Sequence, residues 1–301
     1  MADFIGILPA HITPMTKDGG LNEAAFREVM EFNIQAGVHG FWVAGGTGES
    51  VLLDDEENMR IAEIAADQNR GRVNNIMHVG APTTERAARM AENAARAGVE
   101  AICCVPPFFY RQSDENIVEH YRVVGAAADL PLFIYNLPQS TGVEITPELM
   151  KKIQDKVPQL KGLKHSALSF ANVRAFAHMG LDCLIGSSML MLPALTIGAT
   201  GCVDGPPNFA PELWVDIWNA YNAGDIERAK AAQDKASEAT MIVRTVGLHA
   251  AAKFILSERL GIDCGDPRPP GQPLTSEQKS FVLGKMEELG LTRVPVAQGD
   301  D

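Results

Sequence analysis

Between Gly6 and Ala223 short apolar runs alternate with longer amphipathic stretches, and the alternation repeats eight times. The short runs are Gly6 to Thr13, Gly40 to Val43, Asn75 to Val79, Ala101 to Val105, Leu132 to Tyr135, Leu160 to Lys164, Cys183 to Ile185 and Gly201 to Val203. Each is bounded by glycine, proline or a polar turn and reads as a strand. Helical patterns lie between them. Asn22 caps one that runs to Gln35, with Phe26, Val29, Met30 and Ile34 on one face and Gly37 as its stop. Others cover Asp54 to Asn69, Thr83 to Ala97, Ser113 to Ala127, the segment opened by Thr146-Pro147-Glu148, Ser169 to His178, Met189 to Ile197 and Pro211 to Ala223. Repeated strand–helix units with short connections imply parallel strands with helices outside. Eight of them predict an α/β fold, a (β/α)8 TIM barrel over residues 1–224, with a doubly wound open sheet as the alternative. From Asp225 the strand pattern stops. Ile226 to Val243, Ala250 to Leu260 and Ser276 to Leu289 predict a C-terminal helical region over 225–301, broken by the proline-rich Pro267 to Pro273. From about Val294 no pattern remains, and a loose tail is expected.

Composition removes several function classes. The formal net charge is −12, which repels phosphate backbones and argues against nucleic-acid binding. Five cysteines, an odd number placed mostly in apolar runs, argue against a disulfide framework. Adjacent Cys103 and Cys104 read as small core residues. Asp3 interrupts the first apolar segment, so no signal peptide is expected, and no run approaches the ~18 apolar residues of a membrane span. A reducing cytoplasm is the expected compartment.

In a (β/α)8 barrel the chemistry sits at the C-terminal ends of the strands. Strand six delivers Lys164 to such an end. An exposed lysine would be inert there. A buried one loses its proton more easily and can condense with a carbonyl to form a Schiff base. Tyr135 ends the neighbouring strand, where a phenol could shuttle protons, unless it is a core tyrosine with a satisfied hydroxyl. Strand two runs into Gly45-Gly46-Thr47-Gly48-Glu49-Ser50, a loop whose amides and threonine hydroxyl suit an anion. It matches neither the dinucleotide fingerprint nor the Walker A loop, so a small carboxylate is the expected guest. The acidic run Asp54-Asp55-Glu56-Glu57 fits a helix N-terminus. None of the seven histidines shows metal-ligand spacing, so no metal and no cofactor is expected. His165 adjoins Lys164, but strand alternation points it to the other face.

Three motifs carry a family resemblance that spans Gly6 to about Leu289. Gly45-Gly46-Thr47-Gly48-Glu49-Ser50 is similar to G-T/S-T-G-E, Tyr135-Asn136-Leu137-Pro138 to Y-N-x-P, and Gly162-Leu163-Lys164 to G-x-K. The chain thus resembles the dihydrodipicolinate synthase / N-acetylneuraminate lyase superfamily of class I aldolases. The resemblance implies that Lys164 forms a Schiff base with a 2-oxo acid, usually pyruvate or a pyruvate-yielding substrate. It implies Tyr135 as proton donor and acceptor, and Thr47 with nearby amides, those of Gly46 and Gly48, as the carboxylate site. Gly186 and Val203 match positions whose backbones line the pocket, and homotetramers are common in the family. Several positions depart from it. Gly46-Thr47 stands where the synthases carry Thr-Thr, and the tyrosine reached from a neighbouring subunit aligns with Phe109, next to Tyr110. Ser140 replaces the synthase arginine for the second substrate, which argues against lysine-biosynthetic condensation. Ser188 and Met189 replace the acidic pair of sialic acid lyases, and Gly205-Pro206-Pro207 a hydroxyl-bearing segment. The Gly-Gly-Thr-Gly-Glu spelling resembles sugar-acid dehydratases and aldolases.

The expected function is a Schiff-base lyase that cleaves a 2-keto-3-deoxy sugar acid to pyruvate and an aldehyde. A dehydratase or deaminase using the same imine is the near alternative. A catalytically silent 2-oxo-acid-binding barrel and a nucleotide-binding doubly wound protein belong to other classes. Lys253 is the lysine to check should Lys164 prove not to carry the adduct.

Overall fold

A computed structural model describes residues 4–294. The expectations drawn from Asp3 and from the tail beyond Val294 lie outside the described residues. The strands are β1 Gly6–Pro9, β2 Gly40–Val43, β3 Asn74–His78, β4 Ala101–Cys104, β5 Leu132–Asn136, β6 Leu160–His165, β7 Asp182–Ile185 and β8 Gly201–Asp204. All pair in parallel, in the sequential order β1-β8-β7-β6-β5-β4-β3-β2. The two ends of that row also meet. The His39 amide donates to the Ile7 carbonyl at 2.9 Å and the His11 amide to the Trp42 carbonyl at 2.9 Å. A parallel bridge between Ala10 and Trp42 completes the seam. The protein is therefore a (β/α)8 TIM barrel, and the open-sheet alternative fails because no strand edge is left unpaired.

The helices of the barrel are α1 Glu23–Gln35, α2 Asp55–Asn69, α3 Thr84–Ala97, α4 Asp114–Ala128, α5 Pro138–Thr141, α6 Pro147–Gln154, α7 Asn172–His178, α8 Met191–Thr196 and α9 Pro211–Asn222. Their starts are set by side-chain caps. Asn22, Thr83, Ser113 and Thr146 each accept an amide of the first turn, and Asp54 with Glu57 forms a reciprocal capping box. Two apolar layers result from strand alternation. Leu8, Trp42, Ile76, Cys103, Phe133, Leu184 and Val203 fill the barrel interior. Their sequence neighbours pack outward against the helices.

Some boundaries differ from the sequence reading. The ladder of β1 ends at Pro9, because beyond it the chain turns from β8 to bridge Trp42. Asn136 belongs to β5, and the segment after it holds the one-turn α5 rather than open loop. The stretch from Met189 splits into a 3-10 turn, Ser188–Leu190, and α8. The helix expected from Ser169 begins at Asn172. Beyond the barrel lie α10 Ile226–Val246, α11 Leu248–Leu260 and α12 Ser276–Leu289. Gly247, at φ +99°, makes the break between α10 and α11, inside the Val246 to Ala252 stretch that is too alanine-rich to fix the boundary from sequence. These helices share the outer core of the barrel. Gln233 accepts the Leu192 amide at 2.9 Å and donates to the Ser188 carbonyl at 3.1 Å. Arg259 pairs with Glu212 at 2.7 Å.

Candidate active site

Register places the two expected reactive groups side by side. In the β5–β6 ladder Tyr135 stands opposite Lys164, and both side chains turn to the barrel interior. Lys164 is 4% exposed, with its Nζ 4.4 Å from the centre of the Tyr135 ring and 5.6 Å from that of Trp42. No protein acceptor among the described residues takes a hydrogen bond from Nζ, so the amine keeps access to the space above. His165 turns the other way. Asn136 Nδ2 meets its Nδ1 at 3.3 Å, and its Nε2 lies 3.1 Å from the Ser169 carbonyl.

Above Lys164 a cavity of about 680 Å³ opens between strand ends and C-terminal helices. Gly46, Thr47, Tyr135, Lys164 and Gly186 all line it, so five of the seven expected site residues converge. Gly48 and Val203 do not line it. A side chain at Gly48 would stop 3.0 Å from the His11 carbonyl and 3.1 Å from the Ala44 Cα, so this glycine lets the loop pack down. Its carbonyl accepts the Thr13 hydroxyl at 2.7 Å. Val203 is fully buried in the interior layer below the cavity. At Gly186 a Cβ would come within 1.9 Å of Ser166 Oγ, which explains why that wall must be glycine.

The loop between β2 and α2 is bent by two residues in the left-handed region, Ala44 at φ +51° and Glu49 at φ +62°. The amides of Gly46, Thr47 and Gly48 find no protein acceptor among the described residues, and neither does the Thr47 hydroxyl. Such a cluster of unspent donors has the chemistry to receive an anion. Burial holds His78, behind Tyr135 with ring centroids 6.2 Å apart, at a pKa of about 4, aided by the Lys164 charge.

Sequence reasoning missed one wall entirely. Arg244 from α10 and Leu248 and His249 from α11 line the cavity, and His249 Nε2 lies 2.9 Å from the Gly46 carbonyl. A buried ion pair anchors the same loop from the same helix: Lys253 Nζ meets Glu49 Oε1 at 2.6 Å. Lys253 also donates to the Asp266 carbonyl at 3.0 Å, and the Arg268 amide donates to Glu49 Oε2 at 2.7 Å. Lys253 is thus spent on the loop and does not line the cavity. No periodicity could announce these contacts, because they join residues some two hundred positions apart.

Residues 3–288 match the Dihydrodipicolinate synthetase family. The chain belongs to that family. An uncharacterised DapA-like lyase of Halobacterium salinarum is 33% identical over 95% of this chain and 94% of its own length. An N-acetylneuraminate lyase of Rhizobium meliloti is 30% identical over 88% of each chain. Among solved structures, YagE, a prophage protein of E. coli belonging to the dihydrodipicolinic acid synthase family, in complex with pyruvate, superposes with a TM-score of 0.91. It is 26% identical, covering 96% of this chain and 99% of YagE. The family is one of Schiff-base pyruvate aldolases and lyases acting on small keto acids. In this dihydrodipicolinate synthetase family member, the lysine at the end of β6 and the tyrosine at the end of β5 occupy one pocket. No helix among the described residues is long and apolar enough to cross a membrane.

Proposed function

We propose that this protein is a Schiff-base lyase that cleaves a 2-keto-3-deoxy sugar acid to pyruvate and an aldehyde. The observation that carries the reading is the placement of Lys164 Nζ, buried 4.4 Å from the Tyr135 ring at the floor of a cavity whose wall offers unspent amide donors. The carboxylate of the 2-oxo acid would sit on the Gly46–Gly48 amides and the Thr47 hydroxyl. That places C2 within reach of the Lys164 amine, which attacks it. Tyr135 gives a proton to the departing hydroxyl, and water leaves as the imine forms. The imine then accepts the electrons of the C3–C4 bond while Tyr135 takes the proton from the C4 hydroxyl, releasing the aldehyde. Protonation at C3 and hydrolysis release pyruvate and restore the amine. Pyruvate bound in YagE and the lyase activity named for the Rhizobium relative support this direction. Ser140, lining the cavity where the synthases carry an arginine, supports a substrate other than that of the synthases.

Trapping with borohydride and pyruvate, read by mass spectrometry, tests the imine. An adduct is expected on the wild type and not on Lys164→Ala. A panel of 2-keto-3-deoxy acids assayed for pyruvate tests the cleavage. Substrate consumed without pyruvate would replace the aldolase with the dehydratase reading.

Homotetramer assembly in a reducing cytoplasm belongs to the same proposal. It is supported by the exposed Phe109 and Tyr110 at the barrel rim and by five cysteines that are all buried and unpaired. Sedimentation of the purified protein measures the assembly.

A further inference from the structure

In the imine reading Tyr135 gives and takes protons, and the proton that C3 receives has no named source; the inference here rests on that reading. The Tyr135 phenol has no protein hydrogen-bond partner among the described residues. Position 46 offers none, since even a Cβ there would stop 3.5 Å from Tyr135 Oη. His249 enters this space from α11, with Nε2 2.9 Å from the Gly46 carbonyl. A carbonyl can only accept, so Nε2 carries a ring proton, and Nδ1 on the other side of the ring has no protein partner among the described residues. His249 and Tyr135 both border the cavity over Lys164. Both also border a second cavity of about 530 Å³ beside it, so solvent in either space can bridge them.

We propose that His249 is the proton-relay residue of this site, acting through Tyr135. A proton leaving Tyr135 Oη passes to an intervening water, and that water yields one of its own to His249 Nδ1. The imidazolium keeps its Nε2–H on the Gly46 carbonyl, and the same path in reverse reprotonates the phenolate. Only O–H and N–H bonds change, so the relay balances without another reactant.

Other charged groups around His249 are committed. Glu49 is bound by Lys253 and the Arg268 amide, and Arg268 pairs with Glu57 at 2.6 Å. The Asp204 carboxylate accepts the Ser188 and Gly205 amides, both at 2.8 Å. Lys164 is the nucleophile of the imine reading, His78 is buried behind Tyr135, and the His165 ring turns away to Asn136 and Ser169. His249 is the imidazole that borders both cavities with Tyr135 and has a ring nitrogen without a protein partner among the described residues.

The variant His249→Gln separates relay from scaffold, because its amide still donates to the Gly46 carbonyl but takes up no proton. Two readouts are compared with the wild type across pH: borohydride trapping of pyruvate on Lys164, and deuterium entry at C3 of pyruvate in heavy water, followed by NMR. The expected result is a Gln variant that still traps pyruvate but exchanges C3 about 10²-fold more slowly, with one ionisation missing from its pH profile. A Gln variant that exchanges at the wild-type rate with the wild-type profile overturns the relay. So does one that loses the adduct, which would make His249 a support for the loop, and so does a wild type that traps without exchanging. Absence of an adduct on the wild type would remove the imine reading and the relay together, a result distinct from the others.

Discussion

At the scale of single residues, position 46 sets how Tyr135 is served. Gly46 is not in the left-handed region, and a Cβ there meets only Tyr135 Oη at an ordinary contact distance of 3.5 Å. A hydroxyl can therefore be added without strain. Gly46→Ser introduced into His249→Gln is expected to recover C3 exchange of pyruvate, since the serine hydroxyl would hydrogen-bond the phenol directly. Recovery measured by NMR in the double variant, and not in His249→Gln with Gly46→Ala, would tie the effect to the added hydroxyl. Lys164, Tyr135, Thr47, Gly46 and Gly186 were legible from sequence because strand ends and a glycine-rich turn are local features. Gly48 and Val203 were expected in the site itself, yet neither lines the cavity. Only packing shows that Gly48 lies under the loop and Val203 below the floor.

At the scale of elements, the loop after β2 and the helix α11 work as a pair. Helix starts were readable in Asn22, Asp54, Thr83 and Ser113, because a cap is made by residues three positions apart. The break between Val243 and Ala250 was readable too, but its exact place was not, since the alanines at 250–252 favour helix and mark no edge, and the structure puts it at Gly247. The Lys253–Glu49 pair, 1% and 2% exposed at the side chains, is the buried link between loop and helix. Burial lowers the Lys253 pKa and the Glu49 carboxylate opposes that shift, so each charge depends on the other. Lys253→Met leaves Glu49 charged and buried, and a loss of about 3–5 kcal/mol is expected in urea unfolding. Adding Glu49→Gln should return part of that loss, because no unpaired charge then remains. A single variant as stable as the wild type would show that water reaches Glu49.

For the whole molecule, buried imidazoles shape the response to acid. Burial drives His11, His78 and His120 from 6.5 to about 4 in the folded state. Between those values the unfolded chain binds more protons, so stability falls as pH drops through this window and is unaffected by these groups above it. Every tenfold weakening of proton binding on folding corresponds to about 1.4 kcal/mol. Melting temperature is expected to hold from about pH 8 to 7 and then fall towards about pH 5, before ordinary carboxylates titrate. A flat profile over that span would mean the three rings are solvated in the folded protein.

The alternation of strand and helix patterns by itself determined eight parallel strands with helices outside, because each unit can bury its apolar faces only against copies of the same arrangement. The seam between β1 and β2 decided for the closed barrel over the open sheet. The order of strand ends then determined that Lys164 and Tyr135 would be neighbours, as parallel register requires. What the tertiary structure alone decided is the far wall. The helical region after Asp225 carries no strand signal and reads as an appendage. Yet α10 and α11 fold back over the strand ends and bring Arg244, Leu248 and His249 to the cavity. The physical reason is range: pattern and propensity act over a few residues, whereas the contact of His249 with Gly46 spans 203 positions and exists only once the barrel has closed.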